Sequence, residues 1–208
     1  MRTERKLGAW LIAAGIVLVA AGLGIVGFNL YDEYRAGREA EKTTEAIRSE
    51  IAEKADPEGE EIENLPDYVL NPDMEMPTTT VDGNEYIGVL EVPSLGLSLP
   101  VMSEWSYPGL RIAPCRYSGS AYGSGFTIAA HNYSTHFGPV RNLSAGAEVV
   151  FTDVEGNRFV YRVQSVEVLE PTDIEEMLSD EWDLTLFTCT TGGQARVAVR
   201  CLKTADIH

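Results

Sequence analysis

Residues 7–28 run for 22 positions without a charged side chain. Hydrocarbon offers no water to a backbone N–H or C=O, so such a run crosses a bilayer only as a helix whose hydrogen bonds close internally. About 20 residues suffice. The run exceeds the roughly 7–15 apolar residues of a cleavable signal peptide, although Ala-x-Ala-like spots near its end would favour cleavage. Arg2, Arg5 and Lys6 precede it and Asp32 and Glu33 follow it. The positive-inside bias therefore places the N-terminus in the cytoplasm and everything after Tyr31 outside. Gly8, Gly15 and Gly22 lack a clean GxxxG spacing, so no helix pairing is inferred.

Beyond Phe28 the chain carries 13 basic against 31 acidic residues, within a net charge of −16. Such a surface repels phosphate backbones and excludes nucleic acid as a partner. Residues 31–54 are charge-dense and free of proline. Their only apolar stripe is Thr44, Ile47 and Ile51, which reads as a solvated helical stalk rather than a packed helix. Residues 55–83 are broken by Pro57, Pro66, Pro72 and Pro77 and begin with an acidic run, as a linker would. The division expected is residues 1–30 as cytoplasmic tip and anchor, 31–83 as stalk and linker, and 84–208 as the catalytic domain. On this reading the domain folds without anything before Asn84.

That domain is patterned for strands. Residues 85–92 and 95–101 form a β-prone pair around Pro93-Ser94. Residues 109–115 are a weaker strand candidate, and 116–125 read as a Gly- and Ser-rich loop. Phe126 to Ala130 is a short apolar strand ending at His131, and Val140 to Leu143 a helical turn. Residues 148–152 and 158–168 read as a hairpin. Thr172-Asp173-Ile174-Glu175 is a capping box for a short helix to about Leu178. Seven or eight strands with little helix suggest a closed or nearly closed β-barrel.

The stretch Asp183 to Leu202 carries the chemistry. Leu184 to Thr188 is a strand with Cys189 at its end, Gly192-Gly193 breaks the chain, and residues 195–202 alternate strictly. Arg196, Ala198 and Arg200 share one face, and Val197, Val199 and Cys201 the other. If the two strands pair, Arg196 comes near the thiol, where a cation favours the thiolate and can bind an oxyanion. The ordinary alternative is a buried cysteine and an edge arginine. His131 also ends a strand. An imidazole near Cys189 can take its proton and later return one to a leaving amine.

The His131 strand end, the Thr185-Leu186-Phe187-Thr188-Cys189 run and Arg196 opening the last strand resemble the sortases, cysteine transpeptidases of Gram-positive surfaces. Tyr86 to Val101 is similar to that family's first two strands, and the resemblance covers roughly residues 84–203. It implies a sortase-type barrel behind a signal anchor. His131, Cys189 and Arg196 would cleave an LPxTG-like sorting signal through a thioacyl-enzyme and pass the acyl group to an amine. The partners implied are surface proteins or pilins bearing that signal, with a peptidoglycan cross-bridge or pilin lysine as acceptor. The short loop from Cys189 to Arg196, and Ala130 where many members have Gly, leave the subclass open; the combination looks most like class B-type or related sortases. A papain-like peptidase would place its cysteine before its histidine and at a helix start. A tethered β-module that only binds surface polymers is the non-enzymatic alternative.

Thr188, Thr190, Asn132 and Tyr133 are candidates for orienting His131 or lining a groove. His136 reads as a solvated or loop-bracing histidine, Arg200 as a surface charge about 13 Å from Arg196 at strand rise, and His208 as part of a disordered terminus. With three cysteines outside the cell, Cys115 and Cys201 are either a disulfide that leaves Cys189 free or two small buried hydrophobes. No His, Cys or Asp cluster has zinc spacing, so neither metal nor cofactor is expected.

Overall fold

The structure is a computed structural model that describes residues 2–55 and 65–204. The acidic run at 56–64 and His208 lie outside the described residues. Helix α1 (Arg2–Ala55) is followed by α2 (Asp67–Leu70), β1 (Thr79–Val81), β2 (Asn84–Val92), β3 (Leu97–Met102), α3 (Tyr107–Leu110), β4 (Cys115–Ser118), β5 (Phe126–Ala129), β6 (Glu148–Asp153), β7 (Arg158–Leu169), α4 (Ile174–Met177), β8 (Leu184–Cys189) and β9 (Arg196–Lys203). The chain divides into two compact units, residues 1–35 and 36–208. In the first, α1 is long and apolar enough to cross a membrane, and Leu11, Ile16, Leu18, Leu23 and Phe28 are exposed.

The second unit is built on a closed barrel. The strand order is β2-β3-β4-β5-β8-β9-β7-β6, and β2 also pairs with β6 to close the ring, while β1 extends the edge of β2. Pairing is antiparallel except for β3 with β4 and β5 with β8. Alternation works as the sequence implies. Leu184 and Leu186 of β8, Val199 and Cys201 of β9, and Phe126 and Ile128 of β5 fill the interior with Leu90, Val101 and Phe151. The residues between them face outward. In β2 a bulge at Gly88 shifts this alternation. It puts Tyr86 and Val89 in an outer cluster while Ile87 and Leu90 stay inside. Glycine is required there, because a Cβ would stand 2.1 Å from the Thr152 carbonyl oxygen.

The outer cluster corrects the stalk reading. Ala36, Ala40, Thr43, Thr44 and Ile47 of α1 are buried. Ile47 packs with Tyr86, Val89, Met102, Ala113, Cys115 and Val154, and Arg48 pairs with Glu91 across the same contact. The stripe is narrow because its residues are small, and small residues let the helix approach the strands closely. Part of the linker is packed too. The Tyr68 ring stacks on Tyr122 at 4.8 Å and meets Phe159 edge-on at 5.3 Å. Phe159 lies beside Lys203, at the end of β9 remote from Arg196.

Three local readings also change. Of the strand candidate 109–115, residues 109 and 110 belong instead to helix α3 and only Cys115 is in a strand, with Ser106 accepting from the Gly109 N–H at 3.0 Å and Pro108 in the first turn. Residues 115–118, read as loop beyond Cys115, are strand β4. The capping box at Thr172 does not form. Helix α4 starts at Ile174 without a side-chain cap, and the Asp173 carboxylate instead accepts from the Glu170 N–H at 3.2 Å.

Candidate active site

β5 and β8 run in parallel with Ala129 beside Phe187. The register continues past the strand ends: the Ala130 N–H donates to the Phe187 carbonyl at 3.1 Å. The Thr188 hydroxyl returns a bond to the Ala130 carbonyl at 2.8 Å. The next residues along are His131 and Cys189. On the other side of β8, Cys189 is paired with Arg196 of β9. Cys189 therefore ends the middle one of three adjacent strands, about 4.8 Å apart, with His131 at the end of one neighbour and Arg196 at the start of the other. All three side chains alternate outward at one end of the barrel, and all three are half-buried.

Two loops hold this row in place. Gly192 and Gly193 adopt φ of +90° and +74°, a region that side chains with a Cβ resist, and so let β8 turn back into β9 within a few residues. Thr190 closes the loop by donating its N–H to the Ala195 carbonyl at 2.9 Å and accepting from the Ala195 N–H at 3.0 Å. The loop after His131 is tied to it. Asn132 donates to the Thr190 carbonyl at 3.4 Å, and Arg141 to the Thr191 hydroxyl at 3.3 Å. The same loop rests on α1, where a Cβ at Gly37 would stand 2.8 Å from the Thr135 methyl. Arg196 donates to the carbonyls of Gly193 and Ala195, both at 3.2 Å, which holds its fork at the site.

Of the other candidates, Asn132 and Thr190 bridge the histidine and cysteine strand ends. The Tyr133 ring lies 4.9 Å from the His131 ring and 5.5 Å from that of His136. His136 is buried rather than solvated. Thr188 is also buried, and its hydroxyl serves strand pairing, so it does not line a groove.

Cys115 and Cys201 are not bridged; all three thiols are free. Cys115 lies under α1 in the outer cluster and Cys201 in the barrel interior. Their strands are separated by β5 and β8, about 14 Å at the usual spacing and twice the reach of a disulfide. Burial pushes the Cys115 thiol up to about 11 and Cys201 up to about 12, so both remain protonated at neutral pH.

On the outer face next to Cys189, Phe187 is paired with Ala129 on one side and Ala198 on the other, and both alanines are buried. An aromatic row starts from Phe187. Phe187 meets Tyr117 edge-on at 5.2 Å, Tyr117 meets Trp105 at 5.6 Å, and Trp105 meets Tyr107 at 4.9 Å. Trp105 and Tyr117 border a cleft of about 500 Å³ with Glu104 and Arg116. No spacing rule in the sequence pointed to these rings.

Cysteine, histidine and arginine at one end of a closed eight-stranded barrel define the class of protein. The family follows. Residues 90–204 match the sortase domain model, and the chain belongs to the sortase family, whose members are cysteine transpeptidases. It is 26% identical over 194 residues to sortase A of Bacillus anthracis, covering 89% of each chain. It superposes on sortase C1 of Streptococcus suis with a TM-score of 0.52 at 25% identity, covering 59% of this chain and 74% of that one. Against sortase C of Clostridium perfringens with the C-terminal cell wall sorting motif, the TM-score is 0.53 at 23% identity, over 79% of this chain and 91% of that one.

Proposed function

We propose that this chain is a membrane-anchored transpeptidase that cleaves an LPxTG-like sorting signal and transfers its acyl group to an amine. The observation that carries the reading is the strand register that lines up His131, Cys189 and Arg196. The Cys189 thiolate attacks the scissile carbonyl, and the electron pair moves onto the oxygen, where Arg196 donates to the oxyanion. Collapse of that intermediate breaks the C–N bond. His131 gives the leaving amine its proton, and a thioester to Cys189 remains. An incoming amine, from a peptidoglycan cross-bridge or a pilin lysine, then attacks the thioester. His131 takes up the amine proton, the C–S bond breaks as the new amide forms, and the Cys189 thiolate is regenerated beside the protonated His131.

Residues 7–28 hold the enzyme in the membrane with the catalytic unit outside, as the flanking charges favour. The sorting motif named for the C. perfringens sortase C structure supports the substrate class. The test is incubation of the full chain in detergent with sorting-signal peptides and an amine acceptor, followed by mass spectrometry of the products. Cleavage and transfer by wild type, lost in Cys189→Ala and His131→Ala but kept in Cys115→Ala and Cys201→Ala, is the expected result. An active Cys189→Ala protein would end the proposal.

A further inference from the structure

Arg200, on the outward face with Arg196, has no exposed surface. The reading of it as a surface charge is therefore corrected, and the reason is the segment lying over it. Residues 170–183 leave β7 at Leu169, which pairs with Arg196, and enter β8 at Leu184, which pairs with Cys201. They must therefore run the length of β9 from the Cys189 end to the opposite end. Under this segment the Arg200 guanidinium makes three hydrogen bonds: to the Glu167 carboxylate at 3.2 Å, the Thr185 hydroxyl at 3.2 Å and the backbone carbonyl of Glu176 at 2.7 Å. The Glu176 carboxylate adds an ion pair at 3.7 Å. One planar group thus joins β7, β8 and α4. The contact with Glu176 is to the main chain, so it fixes the position of the segment and not merely that of a side chain.

We propose that Arg200 is a positioning residue that clasps residues 170–178 to the outer face of the sheet and so sets one wall of the place where a donor peptide binds along β8. The Thr185–Arg200 row lies four residues from the Cys189–Arg196 row, about 13 Å at strand rise. An extended donor lying along β8 from the thiol meets this wall within about four residues of its scissile carbonyl. The inference rests on the transpeptidase reading for its kinetic arm alone. Lysine cannot replace the fork, since a single ammonium does not reach three acceptors on three elements.

The experiment compares Arg200→Lys and Glu167→Gln with wild type, in the full chain in detergent, by donor-peptide kinetics and by amide hydrogen exchange. In Arg200→Lys, KM for the donor rises about tenfold while kcat stays within about threefold, the pattern of lost binding without lost chemistry. Exchange at residues 173–178 accelerates while that of β5 and β8 is unchanged. Glu167→Gln shows the same changes to a smaller extent and carries the test if Arg200→Lys does not fold. Unaltered exchange at 173–178, or kcat falling with KM unchanged, overturns the proposal. A wild-type chain that cleaves no sorting peptide overturns the transpeptidase reading instead, a result distinct from the exchange arm.

Discussion

Ile47→Ala tests whether α1 belongs to the folded catalytic unit. Ile47 is fully buried among Tyr86, Val89, Met102, Ala113, Cys115 and Val154. The substitution removes three carbons, worth about 2.4 kcal/mol in transfer at about 0.8 kcal/mol each. A cavity cost adds to this, because Tyr86, Val89, Met102 and Cys115 sit on hydrogen-bonded strands that cannot close over the gap. The expected loss lies within about 2–5 kcal/mol, the range for isoleucine truncated in a core. Urea denaturation of the wild type and the variant measures it, with the m-value unchanged. Cys115 supplies a second readout, since it lies in the same cluster and should be alkylated faster in the variant. A loss below about 0.5 kcal/mol, the size of an ordinary surface substitution, would refute the packing of α1. It would restore the solvated stalk and the expectation that a chain starting at Asn84 folds without loss.

In the folded protein at neutral pH only Cys189 should react with a thiol-directed probe, and in the unfolded, unreduced protein all three cysteines should; one reactive thiol in the unfolded state would mean that a disulfide forms. The buried thiols also set an alkaline limit. Their folded pKa values, about 11 and about 12, lie above the ordinary 9.0, so their contribution to stability is complete below pH 9 and is lost as pH rises from there through 11–12. A urea midpoint that does not fall across that window would contradict the burial of both. Gly88→Ala should cost several kcal/mol by cavity-free overpacking against the β6 backbone, and a near-wild-type melting temperature would count against the bulge. Arg196→Lys should lower kcat/KM by at least about tenfold, because a point charge does not reproduce the fork; unchanged kinetics would remove Arg196 from the oxyanion role.

Local patterns reached the site further than they reached its surroundings. The alternation of residues 195–202 assigned Arg196 and Cys201 to opposite faces, and a strand ending at His131 and another at Cys189 were legible from apolar runs bounded by polar residues. Their parallel register was not, since it depends on the chain returning through β6 and β7. The same alternation put Arg200 outward, but a face is exposed only if nothing covers it, and residues 170–178 are brought there by tertiary folding. The α1 stripe carries little hydrophobic bulk to signal packing, because Ala36, Ala40, Thr43 and Thr44 pack by being small. At α3 the signal was present: Ser106 before Tyr107-Pro108 is a cap and a first-turn proline, outweighed by the β-prone residues that follow. The Cys115–Cys201 bridge was an argument from counting, and counting carries no distance.

The proposed mechanism requires Cys189 to carry the acyl group. Intact-mass spectrometry of the full chain, quenched in acid during turnover of a sorting-signal peptide without acceptor amine, tests it most directly. A mass increase equal to the donor fragment, mapped to Cys189, released by hydroxylamine as expected of a thioester, and missing in Cys189→Ala, is the expected result. Peptide cleavage with no adduct, or an adduct on any other residue, would contradict it.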